Sequence, residues 1–483
     1  MYTIPQTTGE FVVTHTPAIT TKTRWTYGSG GAAYGVFYNS HYFVLAYYSQ
    51  VLGLNPALAG FAITLGLVLD AITDPLIGYL SDNTKSRWGR RHPWLIASIA
   101  PFAASFFLLW HPPAAVGTGA GLFIWLVICN ITMRTAITMF LVPAYAMVAE
   151  LTSSYEERTR LFTWFHVGYA VFANGMSVLM YAIWLVPTDD IKDGVLNPAG
   201  YQDAGVFGTV VIVASILIFT LGTRHFIPRL KEYEIKEALR PLQFYRQVID
   251  VFRTRSARMV VAGGIGYYVG TGTYVALWVY IYSYFWEFTS EQISVIVIPM
   301  ALAALVLPPL WGVWAKGRDK KSLAMFGLGG AMVINLIPIT LRLIGWFPEN
   351  GTETLFWTMT VLGFFETNLF LVFDICWRSM IADLTERTEI ETGRRNEGVI
   401  ASTVTFVTKS ADAIGTLLAG ILLLWIAFPT ETEIGQVPQD TVNGLGLIYG
   451  PLVCAIWLGA IFVLSRYRID RSRHERMVKQ LGR

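Results

Sequence analysis

Charged residues are scarce in this chain. Asp, Glu, Lys and Arg make up 14% of its 483 residues, against roughly 25% in an average soluble domain. Hydrophobic residues reach 54%, and the mean hydropathy is +0.48. This balance excludes an ordinary soluble domain and indicates a membrane protein. The net charge of +3 follows from the loop pattern described below and is no sign of a nucleic-acid partner.

Cysteine is equally scarce, and the usual enzyme motifs are missing. Cys129, Cys376 and Cys454 all fall inside apolar stretches without metal-binding or redox spacing, so they should pack as small hydrophobic residues. No nucleophile and base pair, metal spacing or phosphate loop stands out. We therefore expect neither an enzyme nor a cofactor. The stretch GSGGAAYG at 28–35 opens an apolar span without a preceding strand, which favours close helix packing over nucleotide binding.

Long apolar runs are what the chain has instead. Runs of about 20 residues, each long enough to cross a hydrocarbon core of about 30 Å as a helix, recur along the sequence. They span 31–53, 57–82, 92–111, 119–149, 161–186, 204–224, 257–286, 290–315, 323–345, 354–382, 398–427 and 444–467. The sequence therefore predicts an all-α membrane protein with twelve transmembrane helices.

Lys and Arg concentrate in alternate loops. Nearly all lie near Arg87–Arg91, Arg158–Arg160, Arg224–Arg258, Lys316–Lys321 and Arg387–Arg395 and in the tail from Arg466, whereas the opposite loops hold essentially Lys192 alone. The positive-inside rule then places both termini in the cytoplasm. We expect a monomer in a bacterial inner (plasma) membrane, with a basic tail that could also touch anionic lipid.

The longest cytoplasmic connection divides the spans into six plus six. The predicted units are a cytoplasmic segment 1–30, a six-helix bundle 31–224, a linker 225–256, a second six-helix bundle 257–467 and a basic tail 468–483. GYLSDNTKSRWGRR follows the second span, and WGVWAKGRDKKS follows the eighth. Two basic loops could be alike by chance, but their matching positions favour an internal repeat, as in transporters whose halves rock about a midplane site.

Two acids lie on the second span. An ionisable side chain at the bilayer centre costs about 2.5–3.5 kcal/mol on insertion scales and marks a functional candidate. Asp70 and Asp74 are one turn apart and share a helix face. A proton, a basic partner or a hard cation such as sodium would relieve their repulsion. Thr73 and Thr138 could add oxygen ligands.

A lysine on the eleventh span is predicted at a similar depth. Lys409 either pairs with the two acids and is released when a cation binds, or forms a static salt bridge between two helices.

Further polar residues are candidates for a substrate site. Arg134 could anchor an anionic group or bridge to Glu366. Asp374 and Arg378, at i,i+4 spacing, could contact substrate or neutralise each other. The remaining candidates are Tyr34, Tyr38, Asn39, Tyr145 and His166.

Several motifs occur in one order over nearly the whole chain. They are GLNPALAG, DAITDPLIGYLSDNTKSRWGRRHPW, VPAYAMVAEL with YEERTRL, IADLTERTEIETGRRNEGV and FVTKSADAIG. In them the chain resembles the glycoside-pentoside-hexuronide:cation symporters of the major facilitator superfamily, the group of the melibiose permease. The resemblance implies a fold of two pseudo-symmetric six-helix bundles and symport coupled to sodium or protons by alternating access.

The resemblance also implies roles for single residues. It makes Asp70 and Asp74 the cation-site carboxylates, with Thr73 and Thr138 beside them, and Lys409 the lysine that the family keeps in its eleventh helix. The loop Ser81–Arg91 and its counterpart Lys316–Lys321 are similar to the superfamily's cytoplasmic gating motif. The implied gating residues are Asp82, Arg87, Arg90 and Arg91.

The substrate positions depart from those of the melibiose permease. Its two galactoside-gripping acids fall at Tyr34 and Leu141, its fifth-helix Arg at His166, and its tenth-helix Trp at Asp374. We therefore expect a small polar solute other than a galactoside: a sugar, glycoside or hexuronide. The animal sodium-dependent lysophospholipid symporters share this ancestry, so a lysolipid or another amphipathic or anionic solute is the alternative. A non-transporting membrane sensor of the same fold is the third.

Overall fold

The computed structural model describes residues 19–152, 154–228, 255–307, 311, 318–392 and 397–467. Their regular structure is helical. In chain order the helices are α1 (Thr21–Ala46), α2 (Pro56–Asn83), α3 (His92–Trp110), α4 (Ala120–Leu151), α5 (Tyr155–Leu179), α6 (Pro198–Thr223), α7 (Arg255–Tyr280), α8 (Ser290–Val306), α9 (Lys320–Leu343), α10 (Glu353–Thr392), α11 (Glu397–Trp425) and α12 (Gln439–Ser465). Short π turns extend α1, α5 and α7 and interrupt α12.

Each predicted span coincides with one of these helices. Nine helical segments of the described ranges are long and apolar enough to cross a membrane. The helices α1, α7 and α8 do not meet that measure, so the count of twelve crossings stays a prediction. The predicted linker 225–256 lies mostly, and the tail 468–483 entirely, outside the described residues.

Several helices extend beyond the predicted spans. Helix α1 begins at Thr21, inside the segment predicted to precede the first span, and α10 continues to Thr392, ten residues past its predicted span. The added turns are polar. Hydropathy marks the part of a helix that fits the hydrocarbon layer, whereas the helix itself ends at a capping residue. In α1 that residue is Thr20, whose side chain accepts a hydrogen bond from the backbone of Thr23.

Helix α2 shows how the sequence orients a helix in this bundle. Val68, Ile72 and Leu76 are exposed on one face, where lipid would cover them. Asp70 and Asp74 lie on the opposite face, about half a turn away. Burial of the charged face inside the bundle therefore follows from the order of residues in α2.

The contacts among helices α1–α6 recur among helices α7–α12, each helix being replaced by the one six places later. Helix α1 packs on α5 and α6, α4 packs on α2 and α3, and α3 packs on α6. The equivalent contacts are α7 with α11 and α12, α10 with α8 and α9, and α9 with α12. The pairs α2 with α11 and α8 with α5 join the two sets and are also related by this offset, and α1 meets α7. The pattern supports a duplicated six-helix unit, whose exact limits stay a prediction.

Glycine allows the closest of these contacts. A Cβ at Gly31 would lie 1.9 Å from the carbonyl oxygen of Phe165, and one at Gly35 would lie 2.5 Å from that of Tyr169. Both glycines belong to the stretch GSGGAAYG, and both partners belong to α5. Close helix packing, which the sequence predicts for this stretch, is what the structure contains.

Two ends of the bundle can be distinguished by their side chains. The aromatic end carries Tyr47, Tyr48, Tyr280, Tyr284 and Phe428, which are buried. The basic end carries Arg24, Arg90, Arg91 and Lys320. Helix α2 runs from the aromatic end to the basic end, and α11 runs the opposite way.

Candidate cation and solute site

Charged side chains of α2, α4 and α11 meet inside the bundle. Arg134 Nη1 lies 2.8 Å from Asp70 Oδ2. Lys409 Nζ lies 2.7 Å from Asp74 Oδ2 and 3.7 Å from Asp70 Oδ2. Each of the two acids therefore pairs with a base. The expected pairing of Lys409 with the acids is present, and its role in coupling stays a prediction.

The ion pair of Asp70 and Arg134 is buried from solvent. Its side chains are only 4% and 3% exposed. Arg134 Nη2 also donates a hydrogen bond to Nε2 of His41, and Nδ1 of His41 lies 3.2 Å from the carbonyl oxygens of Phe37 and Tyr38. These contacts assign the ring proton to Nδ1. His41 thus holds the guanidinium of Arg134 against Asp70.

A glycine one turn before Asp70 makes room for this pair. A Cβ at Gly66 would lie 2.7 Å from Cδ of Arg134 and 2.3 Å from Nδ2 of Asn130. Asn130 in turn donates to the carbonyl oxygen of Ala62 at 3.1 Å. Close approach of α4 to α2 therefore depends on a missing side chain at position 66.

The ion pair of Asp74 and Lys409 is more exposed to solvent and joins the two halves. Its side chains are 28% and 33% exposed, so water or an ion can reach it. Thr138 donates from Oγ1 to Asp74 Oδ1 at 2.8 Å. Thr73 instead donates to the backbone oxygen of Asp70 at 3.5 Å. A cation entering here would meet oxygens of Asp74 and Thr138 and would compete with Lys409.

Arg134 and Glu366 are not partners in this structure. Arg134 is committed to Asp70 and His41, whereas Glu366 accepts a hydrogen bond from the hydroxyl of Tyr274 at 2.9 Å. The alternative of a bridge between Arg134 and Glu366 is therefore wrong for this conformation, because the two side chains belong to separate polar clusters.

Asp374 and Arg378 form the pair that their spacing predicts. Nε of Arg378 lies 2.7 Å from Asp374 Oδ2, and the hydroxyl of Tyr268 donates to Asp374 Oδ1 at 2.6 Å. The Arg378 side chain is 60% exposed. The pair is therefore neutralised and at the same time open to a ligand, so the two readings of the sequence are compatible.

An aromatic wall of α1 and α5 contributes the remaining predicted positions. Tyr34 stacks on Tyr169 with ring centroids 4.9 Å apart, and Tyr169 lies 5.4 Å from His166. Tyr38 lies 5.6 Å from Tyr169. Arg378 and Asp374, on α10 of the other half, are near enough to His166 for a charge interaction. The aromatic faces of Tyr34, Tyr38 and Tyr169 and the exposed guanidinium of Arg378 thus border one region between the halves, which we call the central region.

Tyr145 and Asn39 differ in their placement. Tyr145 is exposed on one side and packs edge-on against Phe165 at 5.2 Å. Asn39 is buried, and its amide donates to the carbonyl oxygen of Ala173 at 3.0 Å and to Ser177 at 2.5 Å. The structure therefore places Asn39 in the contact between α1 and α5 and not at the central region, because its amide satisfies α5.

The predicted gating residues cluster at the basic end. Arg91 Nη1 lies 2.5 Å from Asp82 Oδ1. Arg91 and Arg90 also pair with Glu150 of α4 at 2.9 Å and 2.7 Å. Arg87 lies instead over the ring of Trp88 and is apart from these ion pairs. The cluster ties the loop after α2 to α4 within one half, and its gating role stays a prediction.

The second half has a matching pair. Lys320, in the predicted counterpart loop, lies 2.6 Å from Asp383, which is one residue past the predicted tenth span and nine residues before α10 ends. Glu150 likewise follows the predicted fourth span by one residue, although α4 ends directly after it at Leu151. The repeat read from the two basic loops thus includes their acidic partners.

The halves are tied together at the aromatic end. These contacts are hydrogen bonds between loop and helix ends of opposite halves. They join Ser49 with Tyr280, Tyr284 with Gln50 (3.2 Å), Gln50 with the carbonyl oxygen of Pro429 (3.2 Å), and the backbone N–H of Ile434 with Asp193 (2.7 Å). The aromatic end is therefore closed in this conformation.

Sequence reasoning missed several of these residues. Glu150 and His41 are ionisable residues on predicted spans or at their ends, so the same search for charge could have found them. Tyr169 and Tyr268 carried no such signal, because tyrosine is frequent in membrane proteins and only the folded chain brings these two to the central region.

Comparison with known proteins agrees with this arrangement. The family described as MFS/sugar transport protein matches residues 26–471. The chain is 23% identical to the putative glycoside/cation symporter YagG of Escherichia coli, over 96% of this chain and 95% of that protein. It is 20% identical to sodium-dependent lysophosphatidylcholine symporter 1-A of Danio rerio, over 96% of this chain and 88% of that protein.

A solved structure shows the same fold. The inward open xylose transporter XylE from Escherichia coli matches with a TM-score of 0.61 at 15% identity, over 95% of this chain and 98% of that one. The offset of six in the helix contacts agrees with that fold. The chain is an integral membrane protein of the major facilitator fold and belongs to the MFS/sugar transport protein family.

Proposed function

We propose that the protein is a symporter that couples a sodium ion or a proton to the movement of a small polar organic solute by alternating access. The expected solute is a sugar, glycoside or hexuronide. Transport, and not catalysis, is the task that the central charges suit. The proposal includes cytoplasmic termini in a bacterial inner membrane, a monomeric state and no nucleic-acid partner.

The ion pair of Asp74 and Lys409 carries the proposal. It is a partly exposed ion pair between α2 of one half and α11 of the other. Asp70 is held more closely by Arg134 of its own half, at 2.8 Å, than by Lys409, at 3.7 Å. A cation that binds Asp74 displaces Lys409 and removes a tie between the halves. Since a ligand shifts a conformational equilibrium only through different affinities for the two states, this exchange gives the cation its influence.

The proposed cycle follows from the closed aromatic end. If the basic end faces the cytoplasm, as the positive-inside rule implies, this conformation is closed to the outside. Cation binding at Asp74 from the outside raises the affinity for solute between the aromatic wall and Arg378. After the halves rock and both ligands leave inward, Lys409 pairs again with Asp74.

A ligand screen tests the proposal. Purified protein is melted with sugars, glycosides, uronic acids and lysolipids, each with and without sodium and at several pH values. We expect stabilisation by one class that depends on sodium or pH. Uptake of that solute into proteoliposomes under the matching gradient then establishes symport. In the same screen Asp74→Asn should lose the dependence on sodium or pH. The control variant Glu433→Gln, in a loop at the aromatic end, should keep it.

A lysolipid is the second candidate because the central region combines aromatic faces with an exposed guanidinium. Arg378 could bind a phosphate, and the aromatic wall could cover an acyl chain. Stabilisation by lysophosphatidylcholine and not by sugars would select this solute. A protein that accumulates no solute under any gradient would be a sensor, and the symport proposal would fail.

A further inference from the structure

A small cavity lies inside the second half, separate from the charges of α2. It is bordered by α7, α9, α10 and α12 and has a volume of about 20 Å³, which is enough for one water molecule. Its polar lining consists of Tyr274, Tyr282, Asn335, Glu366 and Tyr449. The central cation and solute site uses none of these side chains.

Glu366 is buried in this lining and only half satisfied. The residue is 6% exposed. Its Oε2 accepts the hydrogen bond from Tyr274, but Oε1 is buried and lacks a hydrogen bond of normal geometry within the described residues. The hydroxyl of Tyr449, whose ring lies 4.8 Å from that of Tyr274, is also buried without a hydrogen bond of normal geometry within the described residues. Two unsatisfied polar atoms therefore belong to the same cavity.

No cation balances this acid within the described part of the chain. The cavity lining contains no Lys, Arg or His. The titratable groups around Glu366 are Tyr274 and Tyr282 of α7 and Tyr449 and Cys454 of α12, and none is cationic. The helices α8 and α11, which also pack on α10, add no residue to the lining. A buried carboxylate without a partner is strongly unfavourable and becomes neutral instead.

The protonated carboxyl suits the cavity. An ionised carboxylate only accepts hydrogen bonds, whereas a neutral one also donates. The hydroxyl of Tyr449 can accept this proton directly or through one water. The amide oxygen of Asn335 already lies 3.6 Å from Sγ of Cys454, so its N–H groups remain to donate to Glu366 or to the water. We propose that Glu366 binds a proton and, with Asn335 and Tyr449, one water molecule, forming a proton site in the second half that is distinct from Asp70 and Asp74.

A proton site is a different role from the substrate contact that the sequence suggested for Glu366. It does not depend on which solute is carried. Loss of the proton would place a negative charge where four helices meet, so the packing of the second half becomes sensitive to pH at this point.

Infrared spectroscopy of the purified protein tests the proposal. A protonated carboxyl has a C=O stretching band that is separate from the bands of a carboxylate. At neutral pH we expect this band in the wild type and a loss of one carboxyl's intensity in Glu366→Gln. Glu353→Gln, at the exposed start of the same helix, should keep the full band. Equal bands in the wild type and Glu366→Gln would overturn the proposal.

A second variant covers the case in which Glu366→Gln does not fold. Tyr449→Phe removes the unpartnered hydroxyl, so the band should shift in frequency, and an unshifted band would remove Tyr449 from the site. When sodium chloride replaces choline chloride in the buffer, the wild-type band should stay in place. Its disappearance in sodium would assign the cavity to sodium and contradict a proton site. Neither measurement requires transport.

Discussion

The two aspartates of α2 differ although the sequence presents them alike. Asp70 and Arg134 are buried within one half, whereas Asp74 and Lys409 are partly exposed between the halves. Spacing on a helix places two carboxylates on one face, but only tertiary packing decides which base each one meets. We infer that Asp70 is the structural acid and Asp74 the exchanging one.

Replacement of Asp70 should therefore affect stability. Asp70→Asn leaves Arg134 as an uncompensated buried charge, which costs about 3–5 kcal/mol. Thermal unfolding in detergent measures the loss. Asp374→Asn breaks the exposed pair with Arg378 and should cost about 1 kcal/mol or less.

A double replacement distinguishes ion pairing from side-chain volume. Asp70→Leu with Arg134→Met removes both charges, so it should regain most of the stability that Asp70→Asn loses, because a buried ion pair and an apolar pair of similar size are about equivalent. A double variant as unstable as the single one would contradict this view of Asp70.

At the scale of the helix, small residues determine which helices approach. The contact of α1 with α5 depends on Gly31 facing the backbone of Phe165. The sequence predicts such close packing from the run of glycines, but the partner helix is found only in the fold. Helix bounds were predicted less well, since polar turns such as Thr21–Arg24 continue a helix without a hydropathy signal.

Gly31→Ala should force α1 and α5 apart. The added Cβ would lie 1.9 Å from a carbonyl oxygen, and overpacking of this kind costs about 1–3 kcal/mol. Gly175→Ala on α5 is the matched control, because a Cβ there meets nothing within 4 Å. It should stabilise by about 0.5–1 kcal/mol through helix propensity. Equal melting temperatures for the two variants would contradict the close contact.

For the whole molecule, the sequence predicted the helical membrane fold and the repeat better than the solute site. Apolar runs and basic loops are continuous in sequence, so the helices and the two matching loops could be read directly. The solute region combines α1 and α5 with α7 and α10, and residues such as Tyr169 and Tyr268 become neighbours of the predicted ones only after folding.

Closure of the aromatic end is also a property of the whole molecule. The hydroxyl of Tyr284 donates across the halves to Gln50 and lies 3.1 Å from the carbonyl oxygen of Thr432. The hydroxyl has one proton for these two acceptors, so Tyr284→Phe removes one shared hydrogen bond, worth about 0.5–1.5 kcal/mol. Spin labels at Asp190 and Glu349, in loops of opposite halves, should then report a larger population of long distances.

A tyrosine within one half provides the control for this measurement. Tyr201 donates to the carbonyl oxygen of Val195, so Tyr201→Phe should leave the distances between the halves unchanged. An unchanged distribution in Tyr284→Phe would mean that this contact does not hold the closed state.

Binding of the coupling cation tests the central claim most directly. Purified wild type, Asp74→Asn and Lys409→Met are compared for binding of radioactive sodium and for proton uptake. Competition between Lys409 and the cation predicts tighter binding in Lys409→Met than in the wild type and loss of binding in Asp74→Asn. Equal affinities in the wild type and Asp74→Asn would contradict the account, because the cation would then bind elsewhere.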